Sequence, residues 1–397
     1  MASKKRNGIW VVLSLFVFLL YFFAAARPIP RETVLSPLWV SSLDDASPIV
    51  MGQPAGGLVN MAIPFTLGER FGFVGTDGHF ILNRERAAEL YLGRNLWTEY
   101  EAVPASIEVR DIWGETVLEI EDPWGYPLLL DGRIFILGSG QNSLSELDFN
   151  GNIRWTYAFP APLTSIDAAA GLIVTGSVDG VVEVLDNLGR QIFNFTPGHS
   201  RYEVILGVAI SGDGLRIAVV SGVENQRFLL LERFGTGQFQ VIYHEFLGDG
   251  FRRPVHVTFF HDDWWVAFER EGGLGIYETG ARQSTFVPLE GEIISIDSGG
   301  GQGLFFALVS RYEADNEETD EAEDAAADAA GGGAAGGGAA GGAGENARLK
   351  ELVGIKLPGI LAIRAPFVSD DVFFGRSGSI VVAGGGDALI AFEVRRQ

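Results

Sequence analysis

The chain has 397 residues, no cysteine, 53 glycines, 47% hydrophobic residues and a formal net charge of −22. The missing cysteine excludes disulfides, thiol nucleophiles, cysteine-held zinc and a lipid-modified N-terminal cysteine. The acidic balance argues against nucleic acid or anionic lipid heads as partners of the body, and so much glycine reads as many tight turns rather than long helices.

The first residues form a separate head. Lys4, Lys5 and Arg6 precede an unbroken apolar run from Ile9 to Phe23, then Ala24–Ala26 and Arg27-Pro28. Residues 9–26 are about the minimum for a helix crossing a hydrocarbon core of ~30 Å. The basic cluster marks 1–8 as the cytoplasmic side and puts the body beyond the membrane. The expectation is an uncleaved anchor; the alternative is a secretory signal cut after Ala26, since Ala24 and Ala26 make an A-x-A-like site.

Beyond the head one phrase recurs: an apolar run, a glycine, a short turn with Asp or Asn, then an alternating run. Its clearest copies are Leu172–Leu185 and Ile380–Val394; a shorter one is Phe71–Leu82. Each apolar run is too short for a helix and is bounded by turn residues, so the copies read as hairpins. They start at residues 69, 131, 170, 213, 262, 302 and 378. Most of these spacings match the ~40–50 residues of a four-stranded propeller blade. The first, 62 residues long, reads as an insertion around Leu92–Ser106 or a degenerate eighth copy. The expected fold is therefore all-β: a seven-bladed β-propeller (eight being the alternative) of four-stranded antiparallel blades over 33–397, behind one transmembrane helix. The last copy ends after two strands, and Thr33–Ser41 is expected to supply its missing outer strand, which closes the ring and covers an open edge. Glu313–Asp328 holds nine acidic residues and 329–344 is almost all glycine and alanine. Residues 313–346 are expected to be a disordered insertion in a hairpin loop.

Few residues suggest chemistry. Asp148, Asn150 and Asn152 resemble the opening of a calcium loop, but Ile153 and Phe159 stand where that loop needs glycine and glutamate, so the segment reads as a turn. His256, His261, Asp262 and Asp263 form the one cluster of ligand-type residues. The odd separation of the two histidines points them to opposite faces of a regular strand. His79, His199 and His244 are isolated. Trp113, Trp124, Tyr126, Trp264 and Trp265 read as packing between blades, with a sugar- or peptide-binding face as the alternative. The glycine runs 299–301 and 384–386 precede no helix and so offer no phosphate cradle. No catalytic, cofactor or metal site is expected.

Over about 131–195, with Asp148, Gly151, Trp155, Gly176, Asp179 and Asp186 at the pattern's positions, the chain resembles PQQ-like β-propeller repeats; elsewhere it is similar to WD40-like and YVTN-type propellers. Phe193 stands one repeat after Trp155 at the tryptophan position. The resemblance implies the propeller fold. Its quinone-dependent enzymes use calcium ligands and commonly a vicinal cysteine pair, while its non-catalytic members include an outer-membrane-protein assembly factor. The expected function is a non-catalytic, membrane-anchored scaffold in the bacterial cell envelope that binds another envelope protein or cell-wall material. The alternatives are a quinone- or sugar-dependent oxidoreductase and an assembly factor of that kind.

Overall fold

The structure, a computed structural model, describes residues 14–19, 21, 33–45, 47–52, 61–198, 200–235, 238–248, 250–297, 304–312 and 348–396. Two units are distinct: 1–34 with 395–397, and Leu35–Val394. In the first unit residues 14–19 and 21 are helical. Among the described residues no helix is long and apolar enough to cross a membrane. The helix expected over 9–26 therefore does not appear as a spanning element, and most of that stretch lies outside the described residues.

The second unit is eight antiparallel sheets in succession, an eight-bladed propeller. The chain begins with β1 (Thr33–Ser42) and β2 (Ile49–Val50). Blade one is β3 (Ala62–Leu67), β4 (Arg70–Gly75) and β5 (Phe80–Glu85). Blade two is β6 (Glu89–Leu92), β7 (Leu96–Tyr100), β8 (Ser106–Asp111) and β9 (Thr116–Glu121). Blade three is β10 (Gly125–Leu130), β11 (Arg133–Gly138), β12 (Ser143–Leu147) and β13 (Ile153–Ala158). Blade four is β14 (Leu163–Ala169), β15 (Leu172–Ser177), β16 (Val182–Leu185) and β17 (Gln191–Phe195). Blade five is β18 (Ile205–Ile210), β19 (Arg216–Ser221), β20 (Gln226–Phe234) and β21 (Gln238–Gly248). Blade six is β22 (Val257–Phe260), β23 (Trp265–Arg270), β24 (Gly273–Glu278) and β25 (Gln283–Pro288). Blade seven is β26 (Glu292–Ile296), β27 (Leu304–Tyr312), β28 (Arg348–Lys356) and β29 (Ile360–Phe367). Blade eight is β30 (Val372–Ser377), β31 (Ile380–Gly385) and β32 (Ala388–Arg396). Beside β32 lies β1, with β2 outside it, in the order β2-β1-β32-β31-β30.

The seven-blade expectation is thus corrected to eight, because the long first interval holds blade two. Its middle hairpin pairs at only two positions, Leu96↔Asp111 and Trp97↔Arg110. The Gly–turn–Asp phrase that marks the middle hairpins of blades one, four and eight is missing there. The blades are also not uniformly four-stranded: blade one has three strands and the closing sheet five.

Apolar inner and second strands pack blade against blade, and a pair of rings marks most seams. Phe71 meets Trp97 at 5.0 Å, Phe193 meets Phe239 at 5.4 Å, and Phe260 meets Phe305 at 4.5 Å. Phe228 stacks on Phe268 at 3.9 Å, Phe306 meets Phe374 at 5.8 Å, and Phe65 meets Phe373 at 6.4 Å. Such pairs add ~0.5–1.5 kcal/mol each beyond area burial. The last of them joins blade one to blade eight, within a core cluster that also contains Leu38 and Trp39 of β1.

A polar device accompanies the rings. Glu146, 1% exposed, accepts hydrogen bonds from Arg133, Arg154 and the Trp155 indole. Trp155 lies over the next blade, where a Cβ on Gly189 would come within 2.4 Å of its ring. Gly189 has φ +71, so the turn and the close approach both need glycine there. Phe193 faces Val184 as Trp155 faces Glu146, which makes the two positions equivalent. The acidic tract joins β27 to β28, whose ends pair at Tyr312↔Arg348; the disorder expected for 313–346 falls on residues outside the described ones.

Candidate functional site

Each inner strand ends in a turn at the same end of the ring, which also carries the turns between third and outer strands. The turns of five consecutive blades, two to six, surround a cavity of about 910 Å³ on the axis, with Pro64 of β3 in blade one on its wall and Asp262 and Asp263 in blade six. Its ionisable lining is Arg94, Asp131, Asp167, His261, Asp262 and Asp263, so carboxyl groups dominate.

Asp167 is the best-held of these. It stands on β14, where Oδ2 accepts the N–H of Ile210 on β18 at 2.8 Å and Oδ1 accepts the N–H of Ala168 at 2.9 Å. Two residues earlier, Ser165 Oγ accepts the N–H of Val208 at 3.0 Å. The side chains on one face of β14 thus satisfy the inner edge of the next blade. Burial pushes the Asp167 carboxyl up to about 6; the two backbone donors and Arg94 oppose that rise, and Asp131 adds to it. Across the cavity wall, burial raises the Tyr91 phenol, with Asp167 contributing.

A carboxyl raised in the folded state stabilises the protein at low pH, and that contribution disappears as pH climbs from about 4 to about 6. The change amounts to about 3 kcal/mol at full effect. Asp167→Asn keeps an acceptor for Ile210 and removes the titration. The expected outcome is that urea unfolding across pH 4–7 shows the wild type losing stability relative to the variant as pH rises. Parallel profiles would show that Asp167 does not titrate differently on folding.

The turn joining β22 to β23 is strained: His261, Asp262 and Asp263 have φ +54, +54 and +62. Three successive non-glycine residues in the left-handed region cost energy that the surroundings must hold in place. One restraint is Asp263 Oδ2, which accepts the N–H of Asp213 on the adjacent turn at 3.2 Å. His256 is at the far end of β22, its N–H donated to Glu269, so the cluster seen in sequence is split between the two ends of a strand. Among the described residues no group of three or more His, Asp or Glu side chains is placed to hold a metal ion. Asp148 sits in a turn, Oδ1 accepting from Asn150 and Asn152 at 2.9 and 2.8 Å. Asp111 and Asp186 hold their own turns in the same way.

Packing between blades describes Tyr126 and Trp265, both half-buried, but not the other three tryptophans. Trp113 and Trp264 are 69% and 58% exposed at the cavity end, and Trp124 is exposed at the opposite end, before β10. The cavity end carries further apolar tips that spacing did not reveal. Phe149 and Leu188, 57% and 54% exposed, occupy the third-turn tips of blades three and four, and Phe234 that of blade five. With Trp113 in blade two they form an arc over four consecutive blades.

Radial four-stranded sheets around an axial cavity define a β-propeller. The family model described as "beta-propeller protein" matches residues 1–318, and the chain belongs to that family. An uncharacterized protein of Treponema pallidum (strain Nichols) is 28% identical over 302 residues, which is 75% of this chain and 79% of that protein. Among solved structures, BamB from Moraxella catarrhalis superposes with a TM-score of 0.54 at 12% identity, over 91% of this chain and 98% of that one. The Cps50 (Swd1) propeller domain of Myceliophteria thermophila has a TM-score of 0.43 at 12% identity, over 63% and 93% of the two chains.

Proposed function

We propose that this chain is a non-catalytic scaffold of the bacterial cell envelope, anchored by its N-terminal apolar segment, which binds another envelope protein through the cavity end of the propeller. The observation that carries the reading is the arc of Trp113, Phe149, Leu188 and Phe234 beside an acidic axial cavity. Apolar side chains held on rigid turns, next to polar groups, are the makings of a protein-binding face. The anchor and the extracytoplasmic placement rest on the basic cluster and apolar run of the sequence. Within the wider PQQ-like, WD40-like and YVTN-type resemblance, an outer-membrane-protein assembly factor is a narrower form of the same proposal.

A photo-crosslinking residue placed at 113, 149 or 188 in cells is expected to give one discrete protein adduct. The same residue at Val103 or Val178, exposed on the other end, is expected to give none. Equal adducts from both ends, or none from the arc, would remove the support for this face.

A further inference from the structure

Among the described residues blade one has no outer strand, and β5 is left with an open edge. The six residues of β5 pair with β4 on one side, and no described strand pairs with the other. The chain turns inward at Arg86, whose N–H donates to the Glu69 carbonyl on the β3–β4 turn at 2.7 Å, and enters β6 of blade two. Because Arg86 bonds toward β4, alternation along an antiparallel ladder turns the N–H and C=O groups of Asn83 and Glu85 away from β4. They face the side on which no described strand lies.

Described neighbours cover both faces of β5. On one side is the closing sheet: Asn83 Nδ2 donates to the Leu43 carbonyl at 2.8 Å, and β2 exposes Ile49 and Val50. On the other is blade two, whose Gly114 turn packs against Leu82 and whose Trp97 lies 5.4 Å under the Arg84 guanidinium. The faces of β5 are thus fixed by both neighbours, so the edge is rigid.

The geometry points to strand addition at this edge: an extended segment of another polypeptide completes blade one. The molecule itself supplies the precedent, since three-stranded β30–β32 is completed by β1 from the opposite end of the chain. It also specifies the occupant. In outer strand β13 half-buried Trp155 and Tyr157 alternate with exposed Arg154, Thr156 and Ala158, and in β17 half-buried Phe193 and Phe195 flank exposed Asn194. A segment of five or six residues with an apolar side chain at every second position fits the same place, main-chain bonds giving affinity and alternate side chains giving choice. This mode is independent of the cavity-end face proposed above and would survive its failure.

The test uses the full chain and a displayed library of ten-residue peptides with alternating apolar positions. Glu85→Pro removes an outward-facing donor without breaking a bond to β4, which is the one place in a sheet where proline is tolerated. Selected peptides are expected to bind the wild type and to lose tenfold or more in affinity for the variant, with unchanged thermal melting of the variant. On binding, the amides of Asn83 and Glu85 are expected to gain protection from hydrogen exchange. Equal binding to both proteins, protection elsewhere, or no enriched peptide overturns the proposal. So does a wild-type dimer that Glu85→Pro makes monomeric, which would assign the edge to a second copy of the chain.

Discussion

Trp39→Ala is expected to cost about 3–5 kcal/mol, the range for truncating a buried tryptophan. Trp39 is 2% exposed on β1 and reaches out of its own blade. Its indole Nε1 donates to the Thr76 carbonyl at 2.8 Å on the β4–β5 turn of blade one, and Ser41 Oγ donates to the Gly78 carbonyl at 2.7 Å. Its ring also lies so near Gly78 that a Cβ there would come within 2.7 Å. The same strand is tied to blade eight, where the Leu43 N–H donates to the Asp387 carbonyl at 2.8 Å. Removing the indole therefore loosens the join between first and last blades as well as leaving a void. Trp113→Ala is the control: that side chain is mostly in solvent, and its loss is expected to stay within about 0.5 kcal/mol. Urea midpoints measure both. Equal costs for the two variants would mean that β1 does not hold the ring closed.

The second large effect is expected at Arg376, which forms a buried ion pair with Asp297, each side chain 1% exposed. The two residues come from adjacent blades. Arg376 also donates to the carbonyls of Leu304 at 2.6 Å and Gly378 at 2.8 Å, and its guanidinium stands 5.4 Å over the Phe306 ring. Arg376→Met leaves a buried carboxylate without its guanidinium, and breaking such a pair costs about 3–5 kcal/mol. Adding Asp297→Leu removes that buried charge and is expected to restore much of that loss, because an apolar pair of similar volume is often as stable as the ion pair it replaces. Denaturant unfolding of the single and double variants decides the point. A single variant within about 1 kcal/mol of the wild type would show that the pair is not desolvated as its burial indicates.

The propeller was legible because its strongest copies keep a local code. Leu172–Leu185 and Ile380–Val394 became hairpins β15–β16 and β31–β32, since short apolar runs around Gly and Asp have few other ways to fold. Blade two was obscured for the opposite reason. Leu96–Tyr100 mixes apolar and polar residues, and a loop replaces the tight turn that follows the second strands of the clearest copies. The short blade one was invisible because an absent strand leaves no mark; the three residues between Glu85 and Glu89 look like any turn. The cavity escaped notice because most blades contribute only a few residues to it, widely spaced in sequence. The local signs were Asp167 inside an inner strand and the run His261, Asp262 and Asp263, which line the same cavity. The aromatic arc needs the ring as well, since Trp113, Phe149, Leu188 and Phe234 share an end only after the blades have stacked.

Threading the first strand into the last sheet also sets an order in time. A ribosome makes β1 before all eight blades and β32 after the other seven, so the first strand of the propeller waits for nearly all of the ring before it finds its mate. The entropy of joining such distant ends grows slowly, by ~0.6 kcal/mol per doubling of the intervening length. The delay therefore weighs on the rate of maturation more than on the final stability. Until β32 has been made and paired, β1 carries a bare edge that invites pairing with other chains, and the nascent propeller spends that interval as an arc rather than a closed circle.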